Sequence, residues 1–175
     1  MRVVAGDFKG RRLVAPRGRD VRPTADRVRE ALFSILGPLE ELRVLDLFAG
    51  SGALGIEALS RGAPEVVFVD EDRHAIDAVR RNLAALGIEA PLHRQDALAF
   101  LAAGPTPFDL VFIDPPYSSA VRLGPVLSER LPAALTPHAR IVTESDKRAP
   151  LKLSLPLIDE RVYGDTRIAI HGEPS

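Results

Sequence analysis

Val44 to Gly55 reads V-L-D-L-F-A-G-S-G-A-L-G, twelve residues that combine a buried strand, a glycine-rich turn and the start of a helix. The apolar residues around Leu45 are typical of a strand that is covered on both faces of a parallel sheet. Gly50 and Gly52 allow a tight turn and a close approach of the backbone to a ligand, and the first N–H groups of the following helix point back at that turn. The stretch therefore predicts a cofactor site at the end of a central strand.

The glycine spacing alone leaves two classes of cofactor open. Gly50, Gly52 and Gly55 satisfy G-x-G-x-x-G, the dinucleotide fingerprint, which is a weak signal in isolation. Asp46 favours another ligand, because its carboxylate would repel a pyrophosphate and attract the α-ammonium of a methionine moiety. Asp46 could instead cap the loop by accepting hydrogen bonds from backbone N–H groups, and the two roles are compatible.

Apolar runs and amphipathic stretches alternate from residue 43 onward. The pattern predicts strands at 43–47, 66–70, 90–94, 108–113 and 139–144, and helices at 52–61, 72–86, 96–102 and 120–131. Residues 157–162 and 166–171 are too close in sequence for a crossover helix, so they predict a closing antiparallel hairpin. Repeated right-handed βα units give an α/β fold with a doubly wound, mostly parallel, seven-stranded sheet.

The chain before this sheet is predicted to contain a basic segment, residues 1–22, that precedes a main domain at 23–175. Two β-prone runs around Gly6 and Gly10 indicate a small N-terminal β-hairpin extension. Thr24 is a good N-cap for a helix that runs to about Leu36. The apolar face of this helix is expected to comprise Val28, Leu32, Ile35 and Leu36, with Arg27 and Arg29 on the polar side.

Positive charge is concentrated at the N-terminal end of the chain. Residues 1–30 hold nine Lys or Arg against four acidic residues, whereas the whole chain has a net charge of −1. A solvated surface is the commoner meaning of such a run, but it also suits a phosphate-rich partner. The segment could dock that partner, or it could pack on the sheet as a lid. The candidate phosphate contacts are Lys9, Arg11, Arg12, Arg17, Arg19, Arg22 and Arg27.

Acidic residues follow the next two strands at the edge where ligands bind in open α/β sheets. Asp70 could accept hydrogen bonds from both hydroxyls of a ribose, and Asp96 with the N–H of Ala97 could read an adenine edge. Either aspartate could instead cap a helix. Together with Asp46 they match the ammonium, ribose and adenine of one nucleoside-methionine ligand. The predicted cofactor site comprises Asp46, Phe48, Gly50, Ser51, Gly52, Asp70, Glu71, Asp96, Ala97 and Thr24.

A second motif, Asp114-Pro115-Pro116-Tyr117, ends the fourth predicted strand. Two prolines fix an extended backbone, so that the Asp114 carboxylate and the carbonyls of Asp114 and Pro115 can accept hydrogen bonds from an –NH₂ group. Tyr117 offers a ring on which a planar base can stack. Accepting both N–H protons would direct the nitrogen lone pair at a sulfonium methyl group. A rigid turn would explain the prolines, but not their position opposite a glycine loop.

Composition narrows the remaining classes of protein. The chain has no cysteine, and its four histidines lack metal-ligand spacing, so no metal site is expected. The longest run without a charged residue or histidine, 97–108, is shorter than the roughly 20 residues of a membrane-spanning helix. The start of the chain does not resemble an apolar signal sequence, which favours a cytoplasmic location.

Three blocks of sequence carry a family resemblance. They are R-V-V-A-G-D-F-K-G-R-R-L at Arg2–Leu13, R-P-T-A-D-R-V-R-E-A-L-F at Arg22–Phe33, and D-L-F-A-G-S-G-A-L-G-I-E-A-L-S-R-G-A at Asp46–Ala63. With the motif at Asp114, the chain resembles the class I S-adenosylmethionine-dependent methyltransferases, and more narrowly the bacterial 16S ribosomal RNA guanine-N2 methyltransferases.

The resemblance implies a Rossmann-like fold, S-adenosyl-L-methionine as cofactor and methyl transfer to N2 of guanine 966 in 16S rRNA. It further implies that Asp114, Pro115, Pro116 and Tyr117 are catalytic and that the basic segment binds RNA. The partner would be 16S rRNA, either in the small ribosomal subunit or in an assembly intermediate, and the protein is expected to be a monomer without a metal.

Three other functions stay open at this stage. An adenine-N6 DNA methyltransferase can share the Asp-Pro-Pro-Tyr motif, but it needs a region that reads base edges, for which 175 residues leave little room. Protein glutamine methyltransferases typically have Asn at the position of Asp114. A non-catalytic RNA-binding factor would not need the acidic residues at four strand ends.

Overall fold

The computed structural model of the chain describes residues 1–17 and 26–172. Five parallel strands form most of one seven-stranded sheet: β1 (Arg43–Asp46), β2 (Glu65–Asp70), β3 (Leu92–Arg94), β4 (Phe108–Ile113) and β5 (Leu135–Asp146). β6 (Leu157–Tyr163) and β7 (Thr166–His171) form the predicted antiparallel hairpin. The strand order is β3-β2-β1-β4-β5-β7-β6. Strands β2 and β3 are added on one side of β1 and β4 on the other, so a topological switch point lies between the parallel strands β1 and β4.

Helices cover both faces of this sheet. They are α1 (Asp26–Leu36), α2 (Ala53–Ser60), α3 (Arg73–Leu86), α4 (Ala97–Ala102) and α5 (Tyr117–Arg130), followed by a 3₁₀ helix at Leu131–Ala134. Alternate residues of the strands belong to two apolar clusters, one on each face of the sheet. Phe68 and Phe112 pack with α1, α2 and α3, whereas Val67 and Val111 pack with α4 and α5. The doubly wound α/β fold predicted from the sequence is confirmed.

Three elements differ from their predicted bounds by two residues or more. α5 begins at Tyr117 rather than near 120, because the backbone N–H and hydroxyl of Ser119 both donate to the Pro116 carbonyl and close a first turn. β3 is shorter, since Pro91 has no N–H to donate, although its carbonyl accepts from Phe68 N. β5 starts at Leu135, where a register irregularity opposite β4 lets the strand begin earlier.

The buried face of α1 differs from the expected one at Ile35 and Arg29. Val28, Arg29, Leu32, Phe33 and Leu36 are buried, whereas Ile35 is 41% exposed. Arg29 therefore belongs to the inner face of the helix, although its charge predicts the outer face. Arg27 is exposed, as expected.

The N-terminal hairpin is held by an isolated antiparallel bridge between Arg2 and Arg12 and does not extend the sheet. It packs on α2 through the side chain of Glu57, which accepts from the N–H groups of Val4 at 2.8 Å and Ala5 at 3.0 Å. Ser60 adds further bonds: its carbonyl accepts from Asp7 N, and its hydroxyl accepts from Phe8 N.

The hairpin also reaches α3 and the apolar core. Asn82 exchanges two hydrogen bonds with the backbone of Val14, and Arg11 donates to the carbonyl of Ala85. Val3 and Leu13 are buried in the cluster that contains α1. The described part of the segment, residues 1–17, is thus integrated into the domain by its own core residues. The predicted boundary at residue 22 lies outside the described residues.

Candidate active site

A cavity of about 620 Å³ opens at the carboxyl ends of the parallel strands. This volume lies in the range of small-molecule sites. Its walls come from the ends of β1, β2, β4 and β5, the start of α4 and α5, α1, and the first residue of the chain. The residues that line it include Met1, Arg29, Asp46, Phe48, Gly50, Ser51, Asp70, Glu71, Asp96, Ala97, Asp114, Pro115, Pro116, Tyr117, Ser119, Arg122 and Glu144.

The glycine turn after β1 is fixed to the neighbouring strand. Gly50 has a φ of 56° and open space where a Cβ would lie, and its N–H donates to Asp70 Oδ2 at 2.9 Å. The other oxygen of Asp70 accepts from Asp72 N at 2.9 Å. Asp70 therefore shapes both the glycine turn and the start of α3, where Asp72 rather than Asp70 is the helix cap. The carboxylate reaches the cavity from this position.

Asp46 lies beneath the turn and is 2% exposed. Its Oδ2 accepts from Gly55 N at 3.0 Å, which is the capping role considered from the sequence. Burial raises the pKa of Asp46 to about 7, a rise that Asp70 adds to and the Gly55 N–H opposes. Because the carboxylate also lines the cavity, it would attract a cation placed there.

Close packing explains the third glycine of the motif. A Cβ on Gly55 would lie 2.3 Å from the ring of Phe68 on β2, so α2 can sit this close to the sheet only without a side chain there. Gly52, by contrast, faces Val79, Ile56 and Phe68 and does not line the cavity. Its place is behind the turn, whereas the sequence predicted it among the cofactor-binding residues.

The residues predicted to read an adenine lie at the start of α4. Asp96 caps this helix by accepting from Ala99 N at 2.9 Å, and Ala97 is its first residue. Asp96 therefore has the helix-capping role that was considered from the sequence. Both residues line the cavity, with Glu71 on the neighbouring loop.

The second motif follows β4, the strand next to β1, and lines the same cavity as the glycine turn. Asp114 follows the last β4 residue, and Pro116 occupies the N-cap position of α5 with a ψ of 135°. Pro115 is buried, whereas Tyr117 and Asp114 are partly exposed toward the cavity. The structure thus brings all four predicted catalytic residues to one wall.

Glu144 is a site residue that the sequence reading missed. Ile113 pairs with Thr143 in the parallel ladder, so Asp114 and Glu144 are the next neighbours in register. Glu144 is 4% exposed and lines the cavity. Burial raises the pKa of Asp114 well above its usual range, and the charges of Glu144 and Asp46 raise it further. An acidic residue at the end of the strand beside β4 was the available signal.

Arg29 is the second residue that the sequence reading missed. Its side chain is fully buried on α1 and lines the same cavity. The available signal was an arginine spaced three and four residues from Leu32 and Phe33, on the apolar face of an amphipathic helix.

The predicted phosphate contacts fall into three groups. Lys9, Arg12, Arg17 and Arg27 are exposed. Arg11 is exposed as well, but its guanidinium donates to the end of α3. Arg19 and Arg22, with the predicted cofactor residue Thr24, lie outside the described residues.

Two absences can be stated for the described part of the chain. None of the helices formed by residues 1–17 and 26–172 combines the length and the apolar character that crossing a bilayer requires. In the same residues, no three or more His, Cys, Asp or Glu side chains are grouped so that they could hold a metal ion.

Comparison with known proteins places this chain in a family. Residues 1–172 match the model of the family described as conserved hypothetical protein 95. The chain is 40% identical to YlbH of Bacillus subtilis over 189 residues, covering 98% of both chains. It is 38% identical over 159 residues to Ribosomal RNA small subunit methyltransferase D of Haemophilus influenzae, covering 86% of this chain and 81% of that one. The solved structure of Escherichia coli yhhF has a TM-score of 0.83 and 35% identity, covering 98% and 97%.

Proposed function

Because the chain belongs to the conserved hypothetical protein 95 family, we propose that it is an S-adenosylmethionine-dependent methyltransferase that modifies N2 of a guanine in 16S rRNA. The observation that carries this proposal is that Asp114-Pro115-Pro116-Tyr117 and the glycine turn line one cavity. The name of the Haemophilus relative supports the small ribosomal subunit as the source of the substrate.

The cavity suits S-adenosylmethionine by its chemistry. Asp46 is placed to attract the ammonium group, Asp70 and Glu71 to accept from the ribose hydroxyls, and Asp96 with Ala97 to bind the adenine. Phe48, Gly50 and Ser51 complete the wall of the turn. When bound, the cofactor supplies an electrophilic methyl group on a sulfonium. The residues around the cofactor need to position the amine that receives the methyl group and to exclude water.

The amine that receives the methyl group is the part of the substrate that the Asp114 carboxylate and the carbonyls of Asp114 and Pro115 would bind. An exocyclic amine on a base is a poor nucleophile, because its lone pair is delocalised into the ring. Acceptors that take both N–H protons stabilise the charge that develops on nitrogen in the transition state. Tyr117 would stack on the base and hold it in this orientation.

Guanine is favoured over adenine by the second carboxylate at this wall. Guanine offers N2–H and the adjacent N1–H as donors, whereas adenine offers its N6–H donors beside an N1 acceptor. Asp114 and Glu144, neighbours in register, provide acceptors for two adjacent donors. When both groups are ionised, the lone pair of adenine N1 would meet a carboxylate instead, which leaves a buried acceptor unpaired.

The exposed basic residues Lys9, Arg12, Arg17 and Arg27 would hold the RNA by its phosphates. We infer that the substrate is 16S rRNA within the small subunit or an assembly intermediate, that the protein acts as a monomer, and that it works in the cytoplasm, where ribosomes are assembled.

Single-turnover methylation of 16S RNA, or of small subunits lacking the modification, tests the proposal. The wild-type protein should form N2-methylguanosine, identified by mass spectrometry. Asp114→Ala should lower the rate by roughly two or more orders of magnitude and leave cofactor affinity nearly intact, since its bonds matter most in the transition state. Asp77→Ala, on the outer surface of α3, is the matched control.

The product distinguishes the other functions. N6-methyladenosine would contradict the guanine assignment, and RNA binding without methyl transfer would indicate a non-catalytic factor. A near-normal rate for Asp114→Ala would refute the proposed role of the carboxylate.

A further inference from the structure

Arg29 is the most deeply buried cation at the cavity. Its side chain has a relative exposure of 0%, and it reaches the cavity wall from the first turns of α1. Burying a guanidinium costs free energy unless acceptors surround it. The hydrogen-bond partners of Arg29 therefore indicate what the site is built to hold.

One of the three guanidinium nitrogens is satisfied by the protein. Nη2 donates to Asp26 Oδ1 at 2.7 Å and also to the carbonyl of Arg2. Nε and Nη1 are buried without an acceptor among the residues that the structure describes. Donors left unpaired at such depth are costly, and they point to a ligand that supplies the missing acceptor.

The charge of the cavity narrows the identity of that ligand. The ionisable side chains at its wall are mostly acidic, and Arg122, the other arginine that lines it, is on the exposed surface of α5. S-adenosylmethionine carries a carboxylate beside its ammonium group, so it can supply the acceptor for Arg29 without a second, anionic ligand. Asp46, which suits the ammonium, and Arg29 line the same cavity.

We propose that Arg29 binds the methionine carboxylate of S-adenosylmethionine through the guanidinium N–H groups that the protein leaves unpaired. This assignment rests on the proposed cofactor and names the residue that selects its amino-acid end. It also gives the N-terminal segment a role in the site, since the Arg2 carbonyl and Asp26 hold the guanidinium in place.

Arg61 supplies a matched comparison. It also has a buried nitrogen, Nη2, without an acceptor in the described residues. Its guanidinium pairs with Glu57 and lies over the ring of Phe33, 4.9 Å from the centroid, and it does not line the cavity. Replacing Arg61 thus removes a similar side chain without touching the proposed carboxylate site.

The test compares two ligands by titration calorimetry: S-adenosylmethionine and its decarboxylated form, which lacks only the carboxylate. The wild-type protein should bind S-adenosylmethionine on the order of 10- to 100-fold more tightly than the decarboxylated ligand. Arg29→Met should abolish most of this preference while changing affinity for the decarboxylated ligand little. Arg61→Met should retain the wild-type preference.

Each other outcome has a defined meaning. Equal losses for both ligands in Arg29→Met would overturn the assignment and make Arg29 a structural residue. Should Arg29→Met fail to fold, Arg29→Lys serves instead: a reduced preference supports the proposal and an unchanged preference overturns it. A wild-type protein that binds neither ligand would refute the proposed function itself, which is a distinct result.

Discussion

Asp46 is a residue where folding and function impose opposite demands. Its pKa of about 7 in the folded protein lies above the ordinary aspartate value, chiefly because of burial. The folded state therefore binds a proton more tightly than the unfolded state does. Stability from this group is lost as pH rises from the unfolded pKa toward 7, since the ionised carboxylate is then buried. A cationic ligand would benefit from that same ionised form.

Asp46→Asn should separate the two demands. Asn can still accept from Gly55 N, so the cap survives while the charge disappears. Without cofactor, the variant should lose less stability than the wild type between pH 5 and pH 8, as measured by denaturant unfolding. Its affinity for S-adenosylmethionine should be weaker and should no longer rise as pH passes through about 7. Asp77→Asn is the control, and equal pH slopes for variant and wild type would contradict this account.

At the same scale, site residues could be predicted from the sequence where they lie at the end of a recognisable strand. Residues that reach the site only through tertiary packing could not be predicted. Asp46, Asp70, Asp96 and Asp114 each follow a recognisable strand, so their meeting at one edge could be predicted. Glu144 required the pairing of β5 with β4. Predicting Arg29 as a site residue would have required knowing which face of α1 packs on the sheet. Local periodicity does not reveal either of these tertiary relations.

At the scale of elements, the strands and helices followed from their periodicity, and the errors arose where a local bond intervened. The early start of α5 depends on bonds to the Pro116 carbonyl, which no apolar pattern records. The docking of the N-terminal hairpin depends on Glu57, a buried carboxylate on α2. The contacts of residues 1–17 pack this segment against α2 and α3 and leave Lys9, Arg12 and Arg17 exposed.

Glu57→Gln tests that docking. Gln has one acceptor oxygen where Glu has two, so the amide N–H₂ would face the backbone N–H of Val4 or Ala5 and leave a buried donor unpaired. We expect a loss of about 1–3 kcal/mol in the free energy of unfolding. Cofactor affinity should also fall, because the hairpin carries Met1 and the Arg2 carbonyl to the site. Glu89→Gln, an exposed control, should match the wild type, and an unchanged stability of Glu57→Gln would mean that the hairpin is not anchored there.

At the scale of the whole molecule, charge is distributed unevenly around a nearly neutral protein. The net charge is −1, yet Lys9, Arg12, Arg17 and Arg27 are all exposed. Acidic groups, in contrast, are gathered at the strand ends inside the cavity. This separation would let a polyanion approach the surface while the cavity receives an uncharged base.

Salt dependence tests the proposed RNA surface. Changing Lys9, Arg12 and Arg17 together to Gln should reduce the slope of log affinity against log salt by roughly 2 to 3, about 0.7 to 0.9 for each phosphate that the variant no longer neutralises. Affinity for S-adenosylmethionine should not change. A triple change of Arg130, Lys152 and Arg161, exposed residues elsewhere, is the control for total charge. Equal slopes for the two triple variants would mean that RNA binding depends on net charge alone.

The anchoring of the hairpin on α2 also sets an order of events during synthesis. Val4 and Ala5 leave the ribosome early, but their shared acceptor Glu57 is made 53 and 52 residues later. Asn82, the partner of Val14, follows later still. Contacts between residues this far apart in sequence form more slowly than local ones, so we expect α2 and α3 to form before the hairpin docks on them. The hairpin is thus translated before the helices that hold it and reaches its place after them, so the cavity is completed only after the domain around it has folded.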